Sequence, residues 1–295
     1  MGMTPAKQGH LAMLLFSVLV AGSFSLGALA ANDIAPGALN AVRFAIASIV
    51  IGAAVLATGG VQRSALSAAW RYLLLGGIFG TYFVLMFEGL KTAPPVSAAA
   101  VFTLIPIMAA GFGWLLMRQK LTGRMLAALL IGGIGALWVI FQADVGALLE
   151  FKIGRGEAIY FVGCVFHALY TPLVRKLNRG EPALVFTLGV LLAGCLLITI
   201  YSWNDLIATD WAALPSIVWI TIFYVAICAS SATFVLMQFA TMRLPAAKVM
   251  AYTYLTPSWV ILWQIALGQG VSVVWILGGI GLTIVALAML LRDEG

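Results

Sequence analysis

Long apolar stretches separated by short polar breaks dominate this chain. We read each run of about 20 apolar residues as one membrane helix and ended it where charge, proline or Asn/Asp clusters intervene. The pattern predicts ten spans: 11–31, 37–58, 70–90, 95–117, 124–142, 156–175, 183–202, 214–241, 246–267 and 272–291. The connections are too short for a soluble domain; the longest polar break runs from Gln142 to Arg155. Lys7 before an apolar run and Ala28-Leu29-Ala30 also fit a cleavable leader. Leu11 to Ala30 is long enough to span, however, and is read as the first span.

Composition turns this pattern into a class. Of 295 residues, 63% are hydrophobic and 9% charged, and the mean hydropathy is +1.09. Soluble domains run near 45–50% apolar and about 25% charged. A soluble enzyme, a disordered chain and a nucleic-acid-binding domain are excluded, which leaves an all-α integral membrane protein whose surroundings are the lipid bilayer. The net charge of +6 then reads as orientation. With the N-terminus inside, twelve Lys and Arg fall on inner segments: Lys7, Arg63, Arg71, Arg118, Lys120, Arg124, Arg175, Lys176, Arg179, Arg243, Lys248 and Arg292. Three fall outside, Lys91, Lys152 and Arg155, and Arg43 lies within the second span. Both termini are therefore expected in the cytoplasm. Cys164, Cys195 and Cys228 lie inside apolar runs at no metal-ligand spacing and read as packing residues; no metal or other cofactor is expected.

The chain repeats itself. Phe83-Val84-Leu85-Met86 recurs as Phe234-Val235-Leu236-Met237 at an offset of 151. Pro94 meets Pro245 and Pro106 meets Pro257 in the same register, and Gln119 meets Gln269 at offset 150. Spans 3–5 thus echo spans 8–10, dividing the chain into units 1–145 and 146–295. Five spans is an odd number, so the second unit enters the membrane inverted. Such inverted repeats recur in secondary transporters, with the substrate site near the midplane between the halves; a duplicated scaffold without transport is the plainer alternative.

Each half resembles a unit of the EamA type in the drug/metabolite transporter superfamily. The resemblance rests on Arg43-Phe44 early in span 2, Gly89-Leu90-Lys91-Thr92-Ala93, the small-residue run to Pro106, and Leu121-Thr122 before a Gly-rich helix. In the second half it rests on Ala240-Thr241, Pro245-Ala246-Ala247 and Leu255-Thr256-Pro257. One departure is visible: the Glu of the family's frequent Gly-Glu after spans 4 and 9 is replaced by Gln119 and Gln269. Gln119-Lys120 is more similar to the YddG-like branch of aromatic amino acid exporters. The resemblance implies a ten-helix exporter or exchanger of small organic solutes in an inner membrane.

Several residues are candidates for the transport site. Pro106 and Pro257 lie about 16 Å into their spans, where a proline frees the carbonyl four residues earlier; the carbonyls of Phe102 and Thr253 are those freed. Spans 4 and 9 are expected to bend there as a gating pair, with a static kink the alternative. His167 sits at mid-span, followed by Tyr170 and Thr171 one turn on. Lys248, Tyr252, Thr256, Trp259 and Trp263 recur at helical spacing in span 9. They read as a cavity face or as packing, with Lys248 either snorkelling or attracting a carboxylate. Ser230, Phe234 and Gln238 in span 8, Tyr82 and Phe83 in span 3, Phe102 and Thr103 in span 4, and Ser17, Ser23 and Ser25 in span 1 complete a mildly polar, aromatic-rich lining. Arg43 and Glu88 are the remaining intramembrane charges; they pair with each other, or Glu88 pairs with Lys91, and a structural role is favoured for both.

These residues fit a solute with an apolar or aromatic body and a few polar groups, large neutral amino acids first, with nucleotide sugars, nucleosides and drugs as alternatives. No acidic residue is expected at the midplane, where proton-driven pumps commonly hold one. A uniporter or exchanger, or weak proton coupling through His167, follows. A membrane enzyme lacks its reactive cluster, no G-x-x-x-x-G-K-[ST] loop supports an ATP-driven motor, and a channel lacks its pore loop or charged ring. No catalytic residue is assigned and no nucleic-acid partner is expected. Oligomeric state is open, and a monomer suffices for function.

Overall fold

The computed structural model describes residues 4–61, 63–120, 122–141, 144–146, 153–269 and 276–291. Leu121, Gln142, Glu150, Lys152, Arg292 and the start of the tenth expected span, 272–275, lie outside them. The described chain is all-helical. Eight helical segments of 18 to 26 residues are long and apolar enough to cross a membrane. The two remaining expected spans differ: 246–266 is broken into short pieces, and Ile276–Leu291 is a 16-residue apolar helix.

The helices, in order, are α1 (Pro5–Ala30), α2 (Pro36–Ala57), α3 (Trp70–Leu90), α4 (Pro95–Phe102), α5 (Ile105–Met117), α6 (Gly123–Ile140), α7 (Arg155–Leu177), α8 (Ala183–Tyr201), α9 (Trp203–Ala208), α10 (Ser216–Ala226), α11 (Thr233–Thr241), α12 (Ala246–Met250), α13 (Thr256–Ala266) and α14 (Ile276–Leu291). A π-helical segment, Ile227–Ala232, joins α10 to α11 without a break, and a 3₁₀ segment, Ala251–Leu255, links α12 to α13. Helix starts follow local chemistry. Proline opens α1, α2 and α4, where its missing N–H costs nothing. The Thr122 hydroxyl accepts the Met125 N–H and caps α6. The first helix begins at Pro5, well before the expected Leu11, because Thr4 caps it.

The two central prolines act differently from the expectation of one kinked helix. Span 4 stops at Phe102, turns through Thr103 and Leu104 on 3₁₀-type bonds, and restarts with Pro106 in the first turn of α5. Span 9 narrows into its 3₁₀ segment and restarts with Pro257 in the first turn of α13. A proline ring clashes with the carbonyl four residues back and gives no N–H. The backbone resolves both conflicts by tightening just before it and beginning a new helix in which no N–H is required.

Large apolar side chains such as Ile49, Leu56, Leu115, Leu130 and Ile200 point outward, whereas Arg43, His167, Gln238 and Thr187 are buried within. The two sequence halves interleave: α3 packs on α7 and α8, α4 on α13, α5 on α12, and α6 on α14. Glycine makes two of these seams close. A methyl at Gly135 would stand 2.7 Å from the Gly279 carbonyl, and one at Gly76 would stand 2.5 Å from the Gly194 nitrogen. The glycines of spans 5 and 10 thus serve packing within one chain.

One clamp was invisible in the sequence. Arg71, 1% exposed at the start of α3, donates to Glu181 at 2.7 Å, to the Leu177 carbonyl at 2.6 Å, and to the Ser67 and Ala68 carbonyls. Burial pushes the Glu181 carboxyl up, but hydrogen bonds from Arg71 and from the Arg179 N–H outweigh it and hold the group below its ordinary value. A depressed folded-state value contributes stability above about pH 4.3 that is lost as pH falls through it. The difference in melting temperature between the wild type and Glu181→Gln, measured in detergent, should therefore be clear at pH 7 and shrink towards pH 3. A constant difference would place the stabilisation elsewhere. By the same measurement, Gly76→Ala should cost about 1–3 kcal/mol by overpacking against backbone. Gly281→Ala, which meets open space, should cost nothing.

Candidate functional site

Rings from four spans meet near mid-depth. Phe79, Tyr82 and Phe83 share one face of α3 through their i, i+3, i+4 spacing, and Tyr82 lies about 18 Å along its helix. His167 stands at a similar depth in α7, with Tyr170 one turn on; Phe102 ends α4 and Phe234 lies in α11. All are at most 3% exposed. Several rings lie nearly parallel. Phe79 and Tyr170 stack at 4.2 Å and 8°, Tyr82 and His167 at 4.6 Å and 16°, Phe79 and His167 at 5.0 Å and 21°, and His167 and Phe102 at 5.5 Å and 10°. Stacked pairs of this kind contribute about 0.5–1.5 kcal/mol each beyond the area they bury.

Polar atoms inside this stack are incompletely matched. Neither ring nitrogen of His167 has a hydrogen-bond partner among the described residues. The Gln238 amide donates to the Tyr170 hydroxyl at 3.2 Å, and its carbonyl oxygen has no partner. Tyr82 and Tyr160 share a hydroxyl contact at 3.1 Å. Each unmatched buried polar atom costs roughly 1–3 kcal/mol, and a polar ligand group reaching His167 or Gln238 would offset that cost there.

Arg43 borders the cluster. Its guanidinium lies 3.6 Å from the centre of the Phe83 ring. It donates to the Ser230 hydroxyl at 2.6 Å, the Ala229 carbonyl at 2.8 Å and the Asn40 side-chain oxygen at 3.4 Å. The expected pairing with Glu88 does not form; Glu88 instead holds Lys91 at 2.7 Å on the surface. The π-helical segment supplies both Ala229 and Ser230. Widening the helix by one residue offers a carbonyl sideways, a feature common at functional sites.

The remaining sequence candidates separate. Thr103 turns its hydroxyl back to the Ala100 carbonyl at the break in span 4. The span 9 stripe does not join the ring cluster. The 3₁₀ segment interrupts its periodicity, and it packs on α1 and α10: Tyr252 lies 6.0 Å from His10, the Trp259 indole donates to Ser17 at 3.2 Å, and Trp263 meets Tyr224 of α10 edge-on. Thr256 is fully buried with no partner for its hydroxyl, and Lys248 is half-buried in α12. Pro106 and Pro257 stand beside the two backbone breaks. Gln119 reaches across to accept the Ala246 N–H at 3.2 Å, capping α12; its amide oxygen serves there in place of a carboxylate.

Sequence reasoning passed over Phe79, Phe44, Tyr160 and Asn40. Phe79 sits one turn before Tyr82 and Phe83, and Tyr160 two turns before His167, so helical spacing alone could have found both. It also passed over Glu157, buried in the first turn of α7, which accepts from Ser97 at 2.8 Å.

Comparison with known proteins agrees with this architecture. The "Uncharacterized transporter YyaM" of Bacillus subtilis (strain 168) is 26% identical over 92% of this chain and 90% of its own. The "Aromatic amino acid exporter YddG" of Ancylobacter novellus is 35% identical, over 47% of this chain and 46% of its own. A crystal structure 22% identical in sequence covers 99% of both chains with a TM-score of 0.72, a likeness of fold. The model of the EamA-like transporter family matches twice, over residues 7–141 and 154–292. The chain therefore belongs to the EamA-like transporter family and is a multi-pass membrane transporter.

Proposed function

We propose that this protein is a secondary transporter of the inner membrane, exporting or exchanging large neutral amino acids, aromatic ones above all, by alternating access. The observation that carries this reading is the near-parallel stack of Phe79, Tyr82, Phe102, His167 and Tyr170 at mid-depth, edged by the unpartnered atoms of His167 and Gln238. A planar ring matches such faces in shape once they part, and its N–H or O–H substituent meets an acceptor. The name of the Ancylobacter relative, which matches about half of each chain, supports the same solute class. The family and the relatives' names favour a transporter over an enzyme.

The reading includes a topology: ten crossings in two inverted five-helix units, 1–145 and 146–295, with both termini cytoplasmic. It is supported by the paired breaks in spans 4 and 9 and by the 151-residue register that relates Pro106 to Pro257. Discontinuous helices that end near mid-depth typically build the substrate site of inverted-repeat carriers. Spans 4 and 9 act here as the gating pair, and His167, Tyr82, Phe83, Phe102, Tyr170, Phe234 and Gln238 line the site. Thr103, Tyr252 and Thr256 flank it at the two breaks. The carrier runs on the solute gradient, since the described acids stand near helix ends or in loops.

Counterflow in proteoliposomes tests the reading. Saturable tryptophan exchange should be competed by phenylalanine and tyrosine but not by glutamate or lysine; its absence would overturn the assignment. Gln238→Leu and His167→Leu should each raise KM about tenfold, the loss of one hydrogen bond in a closed site. Pro106→Ala and Pro257→Ala let the broken spans heal into continuous helix. They should slow exchange at least about tenfold, roughly 1.4 kcal/mol of barrier, while tryptophan still protects the protein against unfolding. Normal rates in both variants would remove the gating role.

A further inference from the structure

We infer that Arg43 is the anion receptor of the transport site and binds the carboxylate of the solute, which deepens the reading above and rests on it.

The first argument is charge. Arg43 is fully buried about 10 Å from the start of α2. Its three hydrogen-bond acceptors, Ser230, Ala229 and Asn40, are all neutral. The described acids are all committed elsewhere or distant in the fold. Glu181 holds Arg71, Glu88 holds Lys91, Glu157 holds Ser97, and Asp33, Asp144, Asp205 and Asp210 lie in the connections or in α9. A buried cation answered only by dipoles and a ring face remains electrostatically hungry, because removing a charge from water costs several kcal/mol that neutral partners only partly offset.

The second argument is geometry. A guanidinium carries five N–H groups, and three have acceptors here. The short bonds to Ser230 and Ala229 come from Nε and Nη2, so they occupy the side-on edge of the fork. The end-on edge, between Nη1 and Nη2, carries only the long 3.4 Å contact to Asn40. That edge is the one that takes a carboxylate through two parallel bonds.

The third argument is placement. From Arg43 a continuous run of rings leads through Phe83 and Phe79, 4.9 Å apart, to His167 and Tyr170, and ends at the unpartnered Gln238 oxygen. A cation at one end, aromatic faces between and an acceptor at the other complement a molecule with a carboxylate, a flat apolar body and an N–H or O–H at its far edge. The π-helical segment then has a reason: it turns the Ala229 carbonyl and the Ser230 hydroxyl towards one side of the fork and leaves the other side with the Asn40 contact alone.

A purely structural Arg43, tying span 2 to span 8, makes a different prediction. Removing a tie lowers stability and slows every solute alike, whereas removing a receptor changes the preference among solutes. The experiment is counterflow in proteoliposomes with tryptophan, tryptophanamide, tryptamine and indole-3-propionate as probes. The wild type should favour tryptophan over tryptophanamide and tryptamine by about 10- to 100-fold, the range for one charge-assisted pair. Indole-3-propionate, which keeps the carboxylate and lacks the amine, should still compete. Arg43→Gln should collapse the acid-to-amide ratio towards one, and Arg43→Lys should leave it intermediate, since the charge remains and the fork is lost. Equal handling of acid and amide by the wild type, or an unchanged ratio in Arg43→Gln, overturns the receptor. If Arg43→Gln does not assemble, the wild-type ratio and Arg43→Lys decide the matter. A wild type that carries none of the four probes overturns the aromatic-solute reading itself, a result distinct from loss of discrimination.

Discussion

Hydrocarbon surrounds this chain, so every backbone N–H or C=O that a helix gives up must be answered inside the protein. The rest of the architecture follows from how that demand is met. Most helices meet it alone. At three places the regular α-helical ladder is abandoned, and each lies next to buried polar chemistry: the turn at Thr103 and Leu104, the 3₁₀ segment Ala251–Leu255, and the π-helical segment Ile227–Ala232. The first is patched by i→i+3 bonds and by the Thr103 hydroxyl. The third is patched by Arg43 and by Ser231, whose hydroxyl returns to the Ala226 carbonyl. Irregular backbone thus lies mostly within the protein, with Ile227 of the π-helical segment facing outward.

The same demand explains which charges are tolerated. Arg71 is buried near a helix end, where loop carbonyls and Glu181 can surround it. Arg43 is buried deeper and is answered by dipoles and a ring. The sequence placed Arg71 at an inner span end and Arg43 inside a span; in the structure the first is saturated by a carboxylate and the second is not. That difference separates a structural clamp from a group with capacity left to bind.

Much of the architecture was legible along the chain. Apolar runs located the eight helical segments long and apolar enough to cross a membrane, whereas the last two expected spans appear as short pieces and as the 16-residue helix Ile276–Leu291. The recurrence of Phe-Val-Leu-Met with two prolines related the two halves, over each of which the family model also matches, and the Pro106 and Pro257 positions marked the breaks. The nature of the breaks was less legible, because periodicity shows where a helix is strained and does not show whether it bends or restarts. Pairings were hidden more deeply. Arg43 meets Ser230 across 187 residues, and Arg71 meets Glu181 across 110; no local pattern encodes either. The ring cluster was half visible. Tyr82, Phe83, His167 and Tyr170 stood out as unusual residues, whereas Phe79, which touches more of the stack, was lost among the apolar residues of a uniformly apolar helix. The Trp259 and Trp263 stripe misled for the converse reason, since its helical spacing was sound up to the 3₁₀ segment and its neighbours turned out to be α1 and Tyr224.

The closed core also constrains how transport proceeds. Phe79, Phe102, His167 and Tyr170 are within a few per cent of full burial, and their rings are in contact. On the proposed reading, a planar solute would enter only by displacing one ring face from another. The rings belong to elements of unequal freedom. α3 and α7 are pinned together by the packing of Gly89 on Gly156 and of Gly163 on Tyr82 and Leu85, so Phe79, Tyr82, His167 and Tyr170 sit on one tightly packed pair of helices. Phe102, by contrast, is the last residue of a short half-helix, directly before the turn that Pro106 enforces. The element that can yield without breaking a tight seam is α4, and the face it exposes is that of His167, whose nitrogens have no other partner. Backbone discontinuity, aromatic stacking and the unpartnered imidazole thus meet at one place, and under the proposed transport cycle the break before Pro106 is where span 4 would yield without opening a continuous helical ladder in a hydrocarbon medium.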